Sequence, residues 1–203
     1  MKIRKYFVLF VFLFVTTPAL TNTVTTDVLA TPELIKSLQA GGHIIYMRHG
    51  QTDHSQKDKN RSSLDNCDGQ RNLSNPGREL LIKVGDKIES LNIPIGNVLT
   101  SPYCRCKDTA QLVFGKYKVE PDLQFSISKN QAESEQLGQL LYQMMLEVKV
   151  DHKNDIFVGH TSNLRDGLGI WPKPEGVMVI FKKVDEHQLI YRGMITPEMW
   201  LSL

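Results

Sequence analysis

The sequence is poor in several things, and each shortage narrows what the chain can be. Of its 203 residues three are cysteine and two are tryptophan. Two of those cysteines, Cys104 and Cys106, flank a single arginine. Zinc motifs usually leave two residues between ligands, so a metal knot is the weaker reading of this spacing. Charge of one sign is also lacking: 24 Lys and Arg stand against 22 Asp and Glu, for a formal net charge of +2. A nucleic-acid binder calls for a basic face, and a chain this close to neutrality is not built as one. Internal repeats are absent, and low complexity is confined to the Thr-rich stretch Thr16 to Thr26, expected to be a flexible lead-in. No apolar run approaches the ~18 residues that a membrane helix needs.

What apolar run there is lies at the start. Lys2, Arg4 and Lys5 precede an apolar stretch from Tyr6 to Val15, followed by the small and helix-breaking residues Thr16 to Ala19. This three-part layout is that of a secretory signal peptide over residues 1–19. Thr17 and Ala19 suit a cleavage site, and Val28 with Ala30 suits one almost as well, so the leader could extend to residue 30. An uncleaved anchor is the alternative. Loss of residues 1–19 removes three positive charges and takes the net charge to −1. The expectation is a periplasmic or secreted protein, without a membrane span in its mature form. Residues 31–203 suffice for a single domain. In an oxidising compartment three cysteines imply one disulfide and one thiol left over.

The periodicity alternates between strands and helices. Thr31-Pro32-Glu33 starts a helix with Thr31 as its cap, Leu34, Ile35 and Leu38 form the apolar face, and Gly41-Gly42 ends it. A strand follows at Ile44-Ile45-Tyr46. Residues 51–72 are polar and read as a long loop. Ser74-Asn75-Pro76-Gly77 opens a helix carrying Leu80, Leu81, Val84, Ile88 and Leu91 on one face. A turn over 92–97 leads to a strand at 98–100, a helix from Arg105 to Gly115, a short strand near Val119 and a helix over 133–148. A strand at 155–159 comes next, then a short helix, and Val177 to Phe181 pairs with Gln188 to Arg192 as an antiparallel edge. This order predicts a three-layer α/β/α sandwich on a mostly parallel sheet.

Three strand ends carry the chemistry. Arg48-His49-Gly50 follows the first strand, Ser101-Pro102-Tyr103-Cys104-Arg105 the second, and Gly159-His160 follows Ile156-Phe157-Val158. Ligands of open α/β sheets bind at the carboxyl ends of strands. Two guanidinium forks suited to phosphate oxygens, and two histidines able to act as nucleophile or acid and base, make this a phosphate site. Outside it His43, His54, His152 and His187 are expected at the surface or an edge. Cys67, just before Arg71-Asn72-Leu73, is expected to pair with Cys104, leaving Cys106 to point elsewhere from inside a helix.

Arg48-His49-Gly50, the Ser-Pro-x-x-Arg block with Thr109-Ala110 after it, and Val158-Gly159-His160 resemble, in order and spacing, the histidine phosphatase (phosphoglycerate mutase-like) superfamily. Arg71-Asn72-Leu73-Ser74-x-x-Gly77-Arg78 is similar to that family's Leu-Ser/Thr-x-x-Gly block. The resemblance implies a neutral His49 that attacks phosphorus and forms a phosphohistidine, with Arg48, Arg105 and His160 holding the phosphoryl oxygens. It implies a small phosphorylated substrate and no metal or other cofactor, because the arginines neutralise the developing charge. The chain departs from the mutase branch in having Ser55 where that branch has Asn, and from the phytase branch in having Thr161 after His160. It looks closer to the small exported members, some of which act on envelope lipopolysaccharide sugars. The family's proton donor follows the helix of the second arginine; Glu120, Asp122, Glu133 and Glu135 lie there, with Glu133 first choice and Glu135 second. The competing reading is a non-catalytic phospho-ligand binding protein with the same pocket.

Overall fold

A computed structural model describes residues 23–59, 64–126 and 129–203. The leader expected over residues 1–19 lies outside them. Seven strands form one sheet in the order β1-β7-β6-β2-β5-β3-β4. They are β1 (Thr23–Thr26), β2 (Ile44–Arg48), β3 (Ile95–Thr100), β4 (Lys118–Val119), β5 (Asn154–Gly159), β6 (Met178–Lys183) and β7 (Gln188–Ile195). β2, β5, β3 and β4 run parallel, β6 is antiparallel to β2 and β7, and β1 lies parallel to β7 at the edge.

Side chains alternate across the strands, so each face of the sheet builds its own core. On one face Ile45, Met47, Ile156, Val158, Met178 and Ile180 pack with the helices α1 (Thr31–Ala40), α2 (Asn75–Ser90), α3 (Cys104–Phe114) and α6 (Pro197–Ser202). On the other, Ile44, Tyr46, Phe157, Val179 and Phe181 pack with α4 (Gln131–Glu147) and α5 (Thr161–Leu168). The central strands are therefore buried on both sides, as parallel sheets require. The expected three-layer sandwich with an antiparallel edge is what forms. No helix among the described residues is long and apolar enough to cross a membrane.

Four local expectations are corrected. Thr23 to Thr26 belong to a strand rather than to a flexible lead-in: Thr is a good strand former, and β7 supplies a free edge to pair with. The cap of α1 is Ala30, without a side-chain hydrogen bond, and Thr31 is already helical. Residues 95–97 continue β3 instead of turning: Ile95 pairs with Asn154, and the register against β5 shifts before Val98. His43 is buried, not at the surface: Ser37 and the Gly41 carbonyl engage its ring, and its amide donates to Asn154. His54, His152 and His187 are exposed as expected. The C-terminal helix, seated through buried Trp200, has no counterpart in the sequence reading.

Cys67 is bonded to Cys104, 37 residues apart, and Cys106 is a buried free thiol. Burial pushes that thiol up to about 12, so it stays protonated and inert. On the loop-entropy model a bond closing this many residues stabilises by roughly 3–4 kcal/mol. Replacing both Cys67 and Cys104 with serine is expected to lower the unfolding free energy by about that much. Chemical denaturation measures it, and non-reducing peptide mapping should recover the 67–104 link with Cys106 alkylatable only after unfolding.

Candidate active site

The parallel strands β2, β3 and β5 end side by side, and the residues that follow them converge. The His49 amide donates to the Gly159 carbonyl (3.0 Å), and the Ser101 amide donates to Val158 (2.9 Å). Two glycines let these segments close up. A Cβ on Gly50 would stand 2.5 Å from the Leu81 side chain, and one on Gly159 would stand 2.4 Å from the Tyr46 hydroxyl. The Gly50 amide instead donates to Thr109 Oγ1 (2.9 Å), which itself donates to the Arg105 carbonyl (2.6 Å). Thr109 thus pins the loop of His49 to the first turns of α3. The disulfide and the bond from the Cys104 amide to Gln70 Oε1 (2.9 Å) fix the start of that helix from the other side.

His49 is 3 % exposed, with Nδ1 2.9 Å from the Gly50 carbonyl oxygen. A carbonyl can only accept, so Nδ1 carries the proton and Nε2 holds a free lone pair. Burial, reinforced by Arg105 and then Arg48 and Arg71, drives the His49 pKa well below its ordinary value. His160 is fully buried and lowered for the same reasons, desolvation first and Arg105 second. Its ring centroid lies 5.5 Å from that of His49. Ser101 Oγ, which accepts from the Tyr103 amide, sits 2.9 Å from His160 Nε2. With the hydroxyl donating to Nε2, Nδ1 of this neutral ring is left as the donor.

The guanidiniums are held by their outer nitrogens. Arg48 donates through Nη1 to the Pro172 carbonyl and through Nη2 to Glu175 Oε1, each at 3.2 Å. Glu175 also accepts from the Thr52 amide (3.0 Å) and hydroxyl (3.2 Å). Arg105, without solvent exposure, donates through Nη1 to Asp58 Oδ1 (3.0 Å) and the Arg71 carbonyl (3.2 Å). Its guanidinium carbon lies 4.5 Å from the Tyr103 ring centroid and 5.4 Å from that of Phe125. Arg48 Nε, Arg71 Nε, Arg105 Nε and Nη2, and His160 Nδ1 are buried with no partner. Buried donors are rarely left unpaired. Five of them, four on cations, are suited in number and charge to an anion with several oxygens.

His49, Arg48, Arg105 and His160 are thus brought together as the sequence suggested. Three participants were not assigned to the site there. Arg71 could have been found, because it opens the Arg-Asn-Leu-Ser block. Asp58 and Glu175 lie in polar loop segments whose composition does not distinguish them from solvated acids. Of the acids that follow α3, Glu120, Glu133 and Glu135 accept hydrogen bonds within their own segments. Glu133 is exposed and forms a capping box with Asn130 at the start of α4. Glu135 accepts from Gln131, and Glu120 caps a single helical turn by accepting from the Asp122 amide. Among the described residues no cluster of three or more His, Cys, Asp or Glu could hold a metal.

A model of the histidine phosphatase superfamily (branch 1) matches residues 44–126, which carry Arg48-His49-Gly50 and the Arg105 block. Among curated proteins nothing matches. Among solved structures, the protein histidine phosphatase SixA complexed with tungstate is 15 % identical, covering 76 % of this chain and 97 % of its own, with a TM-score of 0.51. A phosphoserine phosphatase mutant from Entamoeba histolytica in complex with phosphoserine is 14 % identical, over 77 % and 98 % of the two chains, with a TM-score of 0.55. A mycobacterial glucosyl-3-phosphoglycerate phosphatase is 13 % identical, over 75 % and 96 %, with a TM-score of 0.55. At these identities the structural likeness speaks for the fold. The matching family model and the residues gathered at the strand ends make this chain similar to the histidine phosphatase superfamily.

Proposed function

We propose that the chain is an exported phosphomonoesterase that hydrolyses a small phosphorylated substrate through a phosphohistidine on His49, without a metal ion. One observation carries this reading: His49 Nδ1 is committed to the Gly50 carbonyl, which leaves Nε2 as a neutral nucleophile beside five unpartnered buried donors. In the first step Nε2 attacks phosphorus and the P–O bond to the leaving group breaks. Arg48, Arg71, Arg105 and His160 Nδ1 hold the equatorial oxygens as charge shifts among them. Water then attacks phosphorus, the P–N bond breaks, and the electron pair returns to Nε2. Phosphatases among the fold's neighbours, one of them binding phosphoserine, support the class of reaction. For export, the support is the leader-like start of the chain and its one disulfide. Pairing of β1 with β7 favours processing after Ala19, since processing after Ala30 would remove that strand.

His49→Ala is expected to reduce hydrolysis of nitrophenyl phosphate by several orders of magnitude, because it deletes the nucleophile. Retention of more than a few per cent of activity would rule the mechanism out. Wild-type protein that binds phosphate but never turns over this ester would be a non-catalytic phospho-ligand binder instead.

Arg48→Lys and Arg105→Lys are each expected to fail to sustain activity, since a point charge lacks the fork. Phosphate, vanadate and tungstate, the last bound by the SixA neighbour, should inhibit wild-type protein and raise its Tm by binding the folded state. Thermal shift assays with all three oxyanions check this, and no shift with any of them would count against a formed receptor.

The buried histidines also set a pH dependence of stability. His43, His49 and His160 all titrate below their ordinary value in the fold, with desolvation the first cause of each. On acidification the unfolded chain therefore takes up protons first. The contribution to stability is present above the unfolded pKa of about 6.5 and is lost as pH falls towards the lowered folded values. The Tm should accordingly drop between pH 7.5 and 5, and His49→Gln should make that slope shallower in calorimetry.

A further inference from the structure

We propose that His54, held at the rim of the site by Glu175, is the acid that protonates the leaving group and then the base that activates water. This rests on the phosphohistidine reading and supplies the one participant still missing from it. Breaking the P–O bond of an alkyl ester releases a poor alkoxide, and general acid catalysis is typically worth about 100- to 10,000-fold there. After α3, Glu120 and Glu133 cap helical turns and Glu135 accepts from Gln131. Asp53 is equally unsuited, because the Ser55 hydroxyl and then the Ser55 amide pull its carboxyl below the usual range. Asp58 is spent on Arg105 and the Arg71 amide (2.9 Å).

His54 differs from all of these. Its Nε2 lies 3.5 Å from Glu175 Oε2, while Oε1 of the same carboxylate accepts from Arg48 Nη2. A single carboxylate thus joins His54 to a guanidinium of the phosphate receptor. The Glu175 side chain is 11 % exposed and that of Arg48 17 %, but that of His54 is 68 % exposed. The imidazole therefore stands where the buried receptor meets solvent, and solvent is where the leaving group of a bound phosphate must emerge. The Thr52 amide and hydroxyl fix Glu175 in turn, and the pairing of Thr52 with Leu73 anchors the segment that carries His54.

The protons balance. Imidazolium His54 gives its proton to the leaving oxygen as the P–O bond breaks, and becomes neutral with Glu175 beside it. In the second step neutral His54 takes a proton from the attacking water as the P–N bond breaks. Imidazolium, free His49 and inorganic phosphate result, ready for another turnover.

The test compares leaving groups. Full-length protein, His54→Gln and Glu175→Gln are assayed on nitrophenyl phosphate, whose leaving group needs little protonation, and on glycerol 2-phosphate, whose leaving group needs it. His54→Gln is expected to lose at least 100-fold in kcat on the alkyl ester and under tenfold on the aryl ester. Glu175→Gln is expected to lose more on both, because it also releases Arg48. Equal losses of His54→Gln on the two esters, or none, would overturn the role of His54 while leaving the phosphohistidine reading intact if His49→Ala remains inactive. A wild-type protein that hydrolyses neither ester would overturn both. Because the His54 side chain is exposed, its replacement should leave the Tm within about 1 °C of wild type, as surface substitutions usually do.

Discussion

Everything in the site depends on a cation that has no contact with water. Burying a charge costs several kcal/mol unless it is paired and its donors are satisfied. Arg105 meets that demand only in part: Asp58 and the Arg71 carbonyl take Nη1, two aromatic rings lie close to its guanidinium, and Nε and Nη2 have no partner. Each unpaired buried donor costs about 1–3 kcal/mol. The rest of the domain must hold the guanidinium in that condition, and the fastenings around it are correspondingly many. Thr109 bonds the Arg105 carbonyl, the disulfide secures the neighbouring residue, and Gln70 holds the Cys104 amide. Under the proposed function that cost is recovered when an oxyanion enters, and ligand binding should then register as a gain in stability.

The same buried cation sets the protonation of its neighbours. Desolvation alone would disfavour a charged imidazole, and Arg105 is the second cause of lowering for both His49 and His160. Two neutral rings then divide the labour through their tautomers. The Gly50 carbonyl keeps the proton of His49 on Nδ1 and leaves Nε2 nucleophilic. A Ser101 hydroxyl that donates to Nε2 leaves the proton of His160 on Nδ1, as a donor. Two residues of one type thus acquire opposite roles from a carbonyl and a hydroxyl, each supplied by the loop that the strand end feeds into.

How much of this was legible beforehand depended on the kind of signal. The sandwich was readable because β2, β5 and β6 are short apolar runs bounded by breakers, and α2 and α3 carry apolar residues at helical spacing. The four-residue core of the site was readable because strand ends are where an α/β sheet puts ligands. Boundaries failed where tertiary pairing decided the outcome: Thr23 to Thr26 form a strand only because β7 lies beside them. His43 looked like a surface residue because nothing local announces Asn154, more than a hundred residues away, as its partner. Glu175 and Asp58 were invisible for the same reason. A carboxylate in a polar loop reads as solvated until the fold shows which arginine it faces.

Those two carboxylates explain why the guanidinium cluster is not simply as positive as possible. Three guanidiniums without counter-charges would repel one another in a medium that screens poorly. Asp58 and Glu175 neutralise two of them from the outer side, each taking an Nη nitrogen and leaving Nε free. The pairing therefore selects geometry as well as charge: a guanidinium gripped by its far end can only present its near edge. Both acids come from segments that the sheet does not control, one from the loop over 51–72 and one from the turn before β6. Their anchoring has to be local. For Glu175 it is Thr52, itself paired to Leu73, and for Asp58 it is the Arg71 amide, beside the disulfide-tied segment. An oxidised Cys67–Cys104 link accordingly does more than stabilise the fold, since it ties down the segment on which both Arg105 and its counter-ion are aligned.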